Sequence, residues 1–468
     1  MLWLEAAWLR EETSGRPPKP TPALVAFLSA RAAAIGVGGR IGELGKMAGK
    51  SVITGIGVLS PNGVGKDAFL DAIRNGKSGV RKITHLDTAT LHSRIAGSID
   101  DETLQSLSPG EESASDLDRT ALFARIAGEM ALADAQLDKK TATLSYKKGI
   151  IIGTGSGPLH TVERFYEERF LERTPYVRPS TLGKAEFASP CAGVAARFGI
   201  DGIVQTVSAG CASSLAALTV AHSYIRMGMA DILLVGGVDC PLTQHSFRMW
   251  DSLRLLTRDF NNAPESASRP FALGRSGMVL SEGCGFVVME REEVAAERGA
   301  EVYADFLGGG FSYDPEALTN PGEDFQVQAM KSAIFNAKAP QKEIGYVQAS
   351  GASVHINDLV ESRAIRRTFG DRTARLPVSS IKSMIGHAAG ASGMLSLIAV
   401  ILGMRDKFLP PTINLDAPDP ECDLDHVANA ARPVEVKTAL VNSFGVTGAN
   451  ASVVVRKATK LESTGAAF

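Results

Sequence analysis

The stretch Gln205-Thr206-Val207-Ser208-Ala209-Gly210-Cys211-Ala212-Ser213-Ser214 carries a single thiol through a run of small residues into an apolar segment. Val204 to Ser208 reads as a short buried strand, and Leu215, Leu218 and Ala221 recur at helical spacing, so Cys211 falls where a helix begins. Free backbone N–H groups and the positive end of the helix dipole stabilise negative charge at such a place. This predicts a lowered thiol pKa and leaves N–H donors for an oxyanion, the equipment of a covalent nucleophile. A small buried hydrophobe, the common fate of cysteine, is the alternative reading. The second candidate is Ile381-Lys382-Ser383-Met384-Ile385-Gly386-His387-Ala388-Ala389-Gly390. Its glycines let the backbone turn closely before a helix, which puts His387 near a helix start with Lys382 five residues upstream. A lone histidine is more often structural than catalytic, and spacing alone leaves both readings open.

Taken together, these motifs resemble those of the β-ketoacyl-acyl-carrier-protein synthases, the elongating condensing enzymes (type II synthase-like) of fatty acid and polyketide synthesis. The likeness runs from about Ser51 to about Arg456. Thr206 to Ser214 resembles that family's nucleophile elbow, and the segment from Lys382 to His387 resembles its K-S-x-x-G-H motif. Val441-Asn442-Ser443-Phe444-Gly445-Val446-Thr447-Gly448-Ala449-Asn450 resembles its N-S-F-G-F-G-G-T-N loop. The resemblance implies that Cys211 accepts an acyl group. It further implies that His387 donates a hydrogen bond to the thioester carbonyl and stabilises the enolate formed when a malonyl group loses carbon dioxide, while Lys382 orients the site and supplies positive charge. The backbone N–H groups of Cys211 and Val446 form the implied oxyanion hole, with Asn442, Phe444, Asn450 and Glu361 in supporting places. Val446 stands where the family has a gating Phe, so a looser gate or a wider acyl pocket is expected.

One motif departs from the pattern. Where the family reads E-A-H-G-T-x-T, this chain has Gln348-Ala349-Ser350-Gly351-Ala352-Ser353-Val354, followed by the recognisable Asn357-Asp358-Leu359-Val360-Glu361. Ser350 therefore replaces the first catalytic histidine, and Ala352 and Val354 replace both threonines. A hydroxyl offers one donor on a much shorter side chain than imidazole. Losing a donor aimed at developing charge typically costs about 3–4 kcal/mol, roughly 10²–10³ in rate. His355 is read either as a substitute for the missing imidazole or as a surface residue at a helix entry. Ala272 stands for the usual acidic residue after Arg269-Pro270-Phe271, and Arg275-Ser276-Gly277 for the usual R-D-G.

Three functions follow. The first is a 3-oxoacyl-[acyl-carrier-protein] synthase-like acyltransferase that loads Cys211 and performs a decarboxylative Claisen condensation with a malonyl carrier. The second is a non-elongating acyltransferase or gatekeeper using Cys211 without decarboxylation. The third is a non-catalytic partner subunit of a synthase, against which the presence of Cys211 speaks. By resemblance the partners are an acyl carrier protein, for which Arg248, Arg254 and Arg258 are docking candidates or simply a solvated basic face, and a second subunit. That subunit makes a homodimer or, with another synthase chain, a heterodimer.

The elements that must position these residues alternate. Strands are expected at Ser51 to Leu59, Lys148 to Gly153, Val204 to Ser208, Asp231 to Asp239, Gly277 to Met289, Val302 to Leu307, Tyr346 to Ala349, Thr438 to Asn442 and Ala451 to Arg456. Helices are expected at Lys66 to Asn75, Arg119 to Ala135, from Ala212, at Phe325 to Ala337, Asp358 to Phe369 and Gly390 to Leu402. Residues 158–200 read as irregular with one helical piece, and Asp251 to Ser276 as a long loop. This alternation predicts an α/β protein with covered, mostly parallel sheets. No repeat is visible in the sequence, and the thiolase-like fold, two duplicated βαβ-type halves in five layers (α-β-α-β-α), is implied by the resemblance. The expected division is an N-terminal extension at 1–46, a half carrying the nucleophile at 47–300, a half carrying the catalytic His at 301–458, and a tail at 459–468. The extension fits a secretory signal poorly and is read as a poorly ordered extension, an organelle-targeting segment or, the favoured reading, a stretch upstream of a true start at Met47.

Composition narrows the rest. With 49 Lys+Arg against 51 Asp+Glu the net charge is −2, which excludes a global bias toward nucleic acid. Five cysteines without metal-ligand spacing argue for a reducing, cytoplasmic setting and against a zinc site, and no cofactor is implied. Gly65-Lys66 lacks the residues of a phosphate loop, and the glycines from Gly153 to Gly157 are wrongly spaced for a dinucleotide fingerprint, so the latter read as a structural turn. No apolar run approaches a membrane span.

Overall fold

The computed structural model describes residues 49–107, 117–137, 145–173, 176–318 and 320–458. The expectations for the extension at 1–46 and the tail at 459–468 lie outside them. Ten strands carry the architecture: β1 (Ser51–Ser60), β2 (Lys148–Gly153), β3 (Ile203–Val207), β4 (Ile232–Asp239), β5 (Gly283–Arg291), β6 (Ala304–Tyr313), β7 (Tyr346–Gln348), β8 (Pro377–Ser379), β9 (Thr438–Phe444) and β10 (Ala449–Lys457). Two further two-residue strands belong to the same sheet: Asp425–His426 at one end of its hydrogen-bonded path, and Gly63–Val64 off that path, paired with β1.

The order along that path contains the same arrangement twice. The first half runs β3-β2-β4-β5-β1 and the second β8-β7-β9-β10-β6. In each, the first three strands are parallel, the fourth runs antiparallel to them, and the fifth is antiparallel to the fourth. The chain also visits the five positions in the same sequence in both halves, so the duplication that no residue pattern revealed is plain in the topology. The halves meet where Ser51, Val52 and Ile53 of β1 pair antiparallel with Phe306, Asp305 and Ala304 of β6. The expectation of mostly parallel sheets is therefore corrected to mixed ones. β5 and β10 return beside β4 and β9 as antiparallel neighbours, and apolar runs buried on both faces do not disclose strand direction.

Helices fill three layers. α1 (Arg119–Asp134) starts at the N-cap Asp118, whose carboxylate accepts the Thr120 N–H at 2.8 Å, and packs with α2 (Ser189–Phe198) on the outer face of the first half. α4 (Glu323–Asn336) and α5 (His355–Phe369) cover the second half. Between the halves lie α3 (Ser213–Arg226) and α6 (Ser392–Arg405), each touching strands of both. In α6 every residue from Ser392 to Met404 is buried, as required of a helix apolar all round and enclosed by two sheets. The result is the expected five-layered thiolase-like α/β fold. Among the described residues no helix is long and apolar enough to cross a membrane.

One region was misread. Residues 158–200 hold three α-helices, Leu159–Tyr166, Ser180–Ala185 and Ser189–Phe198, and a π-helical turn at Glu167–Leu171. The first two bury no residue, so no apolar stripe announces them. Two smaller shifts also appear. The strand expected from Gly277 begins only at Gly283, and β6 runs on to Tyr313.

Candidate active site

Cys211 lies in a tight turn between β3 and α3, two residues before the helix begins at Ser213. The turn is tied by its own short side chains and amides. Ser213 Oγ accepts the Ala209 N–H at 2.8 Å and donates to the Gly210 carbonyl at 2.6 Å, while the Ala212 N–H reaches the Ala209 carbonyl at 3.0 Å. Gly210 takes φ +53°, a left-handed conformation that favours glycine. The loop between β9 and β10 closes over the thiol. Ser443 Oγ donates to the Cys211 carbonyl at 2.8 Å, and the Val446 N–H lies close enough to the Cys211 sulfur to favour its charged form. The loop is braced by the Gly445 N–H on the Ala449 carbonyl at 2.8 Å and by Asn450 Nδ2 on the Gly448 carbonyl at 3.1 Å.

The expectation of a lowered thiol pKa is reversed. Burial pushes the Cys211 thiol up, against the pull of the Lys382 charge and the Val446 N–H, and nearby Asp239 pushes it further the same way. A thiol only 5% exposed loses more from desolvation than its favourable neighbours return.

His387 follows a short helix, Lys382–Ile385, and is itself buried. The Ala389 N–H donates to its Nδ1 at 3.0 Å, and Ser392 Oγ lies 3.3 Å from the same nitrogen. Burial, helped by the Lys382 charge, lowers its pKa to about 3. The ring is therefore neutral at ordinary pH, and with Nδ1 occupied as an acceptor its proton sits on Nε2. A neutral Nε2–H donor is what a carbonyl gathering negative charge requires.

Lys382 is fully enclosed, and burial lowers its pKa while the charges of Glu361, Cys211 and Asp358 oppose that. Its ammonium donates to the Ser350 carbonyl and to Ser350 Oγ at 3.3 Å. The Phe444 N–H donates to the same hydroxyl oxygen at 3.2 Å. Glu361, whose carboxyl burial pushes up, accepts the amides of Ser350 at 2.8 Å and Gly351 at 2.7 Å, and Asn442 Nδ2 at 3.1 Å. Ser452 Oγ fixes the other end of the Asn442 amide at 2.7 Å. One continuous network thus joins Lys382, Ser350, Glu361, Asn442 and Phe444, and the Phe444–Val446 loop carries it to Cys211.

His355 is not part of it. Its side chain is exposed at the start of α5, and only its carbonyl is used, by Arg275 Nη2 at 3.0 Å. Ala352 and Val354 are buried in an apolar cluster with Phe247, Leu256, Met278 and Leu280. Arg275 is enclosed with Asp419 at 2.7 Å and Asp358 at 3.5 Å, and Asp358 accepts the amides of Phe271 and Ala352 at 2.9 and 2.8 Å. Arg248, Arg254 and Arg258, spread over eleven residues of chain, line one depression of about 330 Å³ with Thr90, His92 and Asp251. Ser443 and Asp239 were missed by motif reading. Ser443 is hidden inside a motif read for its neighbours, whereas an acid closing the apolar strand β4 was a signal that could have been taken.

The comparisons agree with this geometry. Residues 50–295 match the family described as beta-ketoacyl synthase, N-terminal domain, and residues 303–416 the beta-ketoacyl synthase, C-terminal domain. The chain is 36% identical over 415 residues to the tetracenomycin polyketide synthase ketoacyl synthase alpha subunit of Streptomyces glaucescens, covering 87% of this chain and 96% of that one. It is 34% identical over 408 residues to 3-oxoacyl-[acyl-carrier-protein] synthase 2 of Coxiella burnetii, covering 87% and 98%. A solved type II polyketide synthase acyl-carrier protein in complex with its ketosynthase superposes with a TM-score of 0.81 at 30% identity, over 88% of this chain and 100% of that one. A buried thiol under a backbone amide, a neutral histidine, a twice-built sheet and matches to both halves of one family lead to the same conclusion: this chain belongs to the β-ketoacyl synthase family.

Proposed function

We propose that the protein takes an acyl group from an acyl carrier protein onto Cys211 as a thioester and condenses it with a malonyl carrier, releasing carbon dioxide and a 3-oxoacyl carrier. The Val446 amide against the Cys211 sulfur carries this reading, because a donor there also meets the oxygen of an acyl group bound to that sulfur. In loading, the Cys211 sulfur attacks the carrier thioester, the carbonyl oxygen draws charge into the amides of Cys211 and Val446, and the carrier leaves as a thiol that takes up the proton given up by Cys211. In condensation, the malonyl C–C bond breaks to carbon dioxide and an enolate. The enolate oxygen is met by His387 Nε2–H, and the enolate carbon attacks the Cys211 thioester, breaking its C–S bond and freeing a thiolate that takes a proton from solvent before the next cycle. Lys382 supplies positive charge to this centre, and its hold on Ser350 keeps that hydroxyl's single proton for the substrate.

A second reading has support of its own. The resemblance puts Ser350 where the family carries a histidine, and a hydroxyl offers one donor on a much shorter side chain, which weakens enolate stabilisation but leaves loading intact. An acyltransferase that loads Cys211 without decarboxylation fits the same atoms. Incubation with acyl and malonyl carriers, followed by intact mass of protein and carriers, separates the two. Acylated Cys211 with a 3-oxoacyl carrier supports condensation, and acylation without carbon dioxide release supports the second reading. A protein that stays unacylated would sink both and leave the non-catalytic partner.

The three arginines around one depression support docking of the carrier there. β3 ends its sheet with Val204 exposed on it, and exposed Phe187 accepts Thr206 Oγ1 on its carbonyl at 3.1 Å. An open strand edge with apolar neighbours supports a second subunit pairing beside the nucleophile, as a homodimer or with another synthase chain. Five free, buried cysteines suit the reducing cytoplasm.

A further inference from the structure

His387 offers Nε2–H while the Ala389 amide stays on its Nδ1 at 3.0 Å, the shorter of two contacts there, with Ser392 Oγ at 3.3 Å. That amide belongs to a strained turn. Ala389 has φ +42°, a left-handed value that costs an L-residue about 1–2 kcal/mol. Something must hold the turn. The next amide, Gly390 N–H, donates to Asp239 Oδ2 at 2.5 Å.

Asp239 is buried at the end of β4 and takes further bonds from the turn that follows β2. Its Oδ2 accepts the Gly155 N–H at 2.8 Å. Its Oδ1 accepts Thr154 Oγ1 at 2.8 Å, the Ser156 N–H at 2.8 Å and Ser156 Oγ at 2.5 Å. The junction is also sterically closed. A Cβ on Gly390 would lie 2.6 Å from Asp239 Oδ2, 2.7 Å from the Gly155 nitrogen and 3.2 Å from the Gly210 carbonyl. One carboxylate therefore pins the turn after β2 to the histidine turn, with the cysteine turn in van der Waals reach of both. Its charge disfavours a thiolate at Cys211, so what it contributes there is geometry and not electrostatic help to the nucleophile.

We propose that Asp239 is a positioning residue that locks His387 in its Nε2–H tautomer by holding the strained 389–390 turn. The inference rests on the role proposed for His387, but its central readout does not need activity. Asparagine at 239 cannot satisfy the site. With Nδ2 in the Oδ2 place it faces the amides of Gly155 and Gly390, and in the Oδ1 place it faces the Ser156 amide.

The test is long-range ¹⁵N–¹H correlation of the histidine ring nitrogens in the full chain, with His387→Gln identifying the His387 signals. The wild-type ring should show an unprotonated Nδ1 and a protonated Nε2, and Asp239→Asn should give a mixed or exchanging tautomer. Carbon dioxide release from malonyl carrier should fall about tenfold to a hundredfold while Cys211 still loads. Unchanged His387 signals in Asp239→Asn overturn the proposal. Should that variant not fold, the double variant Thr154→Val, Ser156→Ala removes both hydroxyl bonds to Oδ1 and is read by the same signals, with the same outcome deciding. A wild-type protein that loads Cys211 but releases no carbon dioxide defeats the condensing reading alone, since the ring tautomer still decides the role of Asp239.

Discussion

If the site condenses as proposed, the side chain at 350 sets how much charge it can hold on its second substrate, and replacing it in both directions measures that. Ser350 Oγ accepts from the Phe444 N–H at 3.2 Å and from Lys382 Nζ at 3.3 Å, so its own proton is the one donor it can turn toward a carbonyl. An imidazole in its place reaches further into the site by the depth of its ring. A donor aimed at developing charge is worth about 3–4 kcal/mol, so Ser350→His is expected to speed carbon dioxide release from malonyl carrier by roughly 10²–10³. Ser350→Ala removes the acceptor from a buried amide. The orphaned Phe444 N–H should cost about 1–3 kcal/mol in denaturant unfolding, and carbon dioxide release should fall, while Lys382 keeps its bond to the residue 350 carbonyl. Single-turnover release of carbon dioxide is followed beside intact mass of the acyl protein, so loading and decarboxylation are read separately. A Ser350→His protein that folds and loads Cys211 yet releases carbon dioxide no faster would refute the reasoning, because the enolate charge would then be held elsewhere.

Other expectations follow from the same geometry. His387 falls from 6.5 to about 3 through burial and the Lys382 charge, so between those values the unfolded chain binds a proton that the folded chain refuses. Stability is therefore complete above pH 6.5 and lost as pH falls toward 3, by up to about 1.4 kcal/mol per pH unit, and His387→Gln should flatten that slope in urea unfolding at a series of pH values. His222, lowered by burial to about 4, adds a parallel loss that the same variant leaves in place. Arg254→Glu should raise the KM for acyl carrier about tenfold, more than it lowers kcat, with the difference shrinking at high salt; a salt-independent effect speaks against docking at the arginine depression. Val446→Phe should shift the accepted acyl chains toward shorter lengths, and an unchanged chain-length profile removes Val446 as the reason for a wider pocket.

Much of the site was legible because its parts are built locally. The small residues around Cys211, the glycines before His387 and the loop from Asn442 to Asn450 encode backbone shape through side chains too short to do anything else. Ser350 and Glu361 could be named for the same reason, since they sit in a recognisable segment. What each part touches was not legible. The serine oxygen's grip by Lys382 and Phe444, and the five hydrogen bonds on Asp239, join positions between 32 and 151 residues apart or within reach only after β2 and β4 pair.

The sequence by itself determined the α/β alternation, the helices and strands with clear periodicity, and the candidate nucleophile and its neighbours by type, since these depend on spacing along the chain. Tertiary structure alone decided strand direction, the duplication of the two halves and the helices of residues 158–200 that bury nothing. It also decided the sign of the Cys211 shift. Desolvation is a property of everything packed around a group, and a motif of ten residues reports the donors beside a thiol without reporting how much water the rest of the fold excludes.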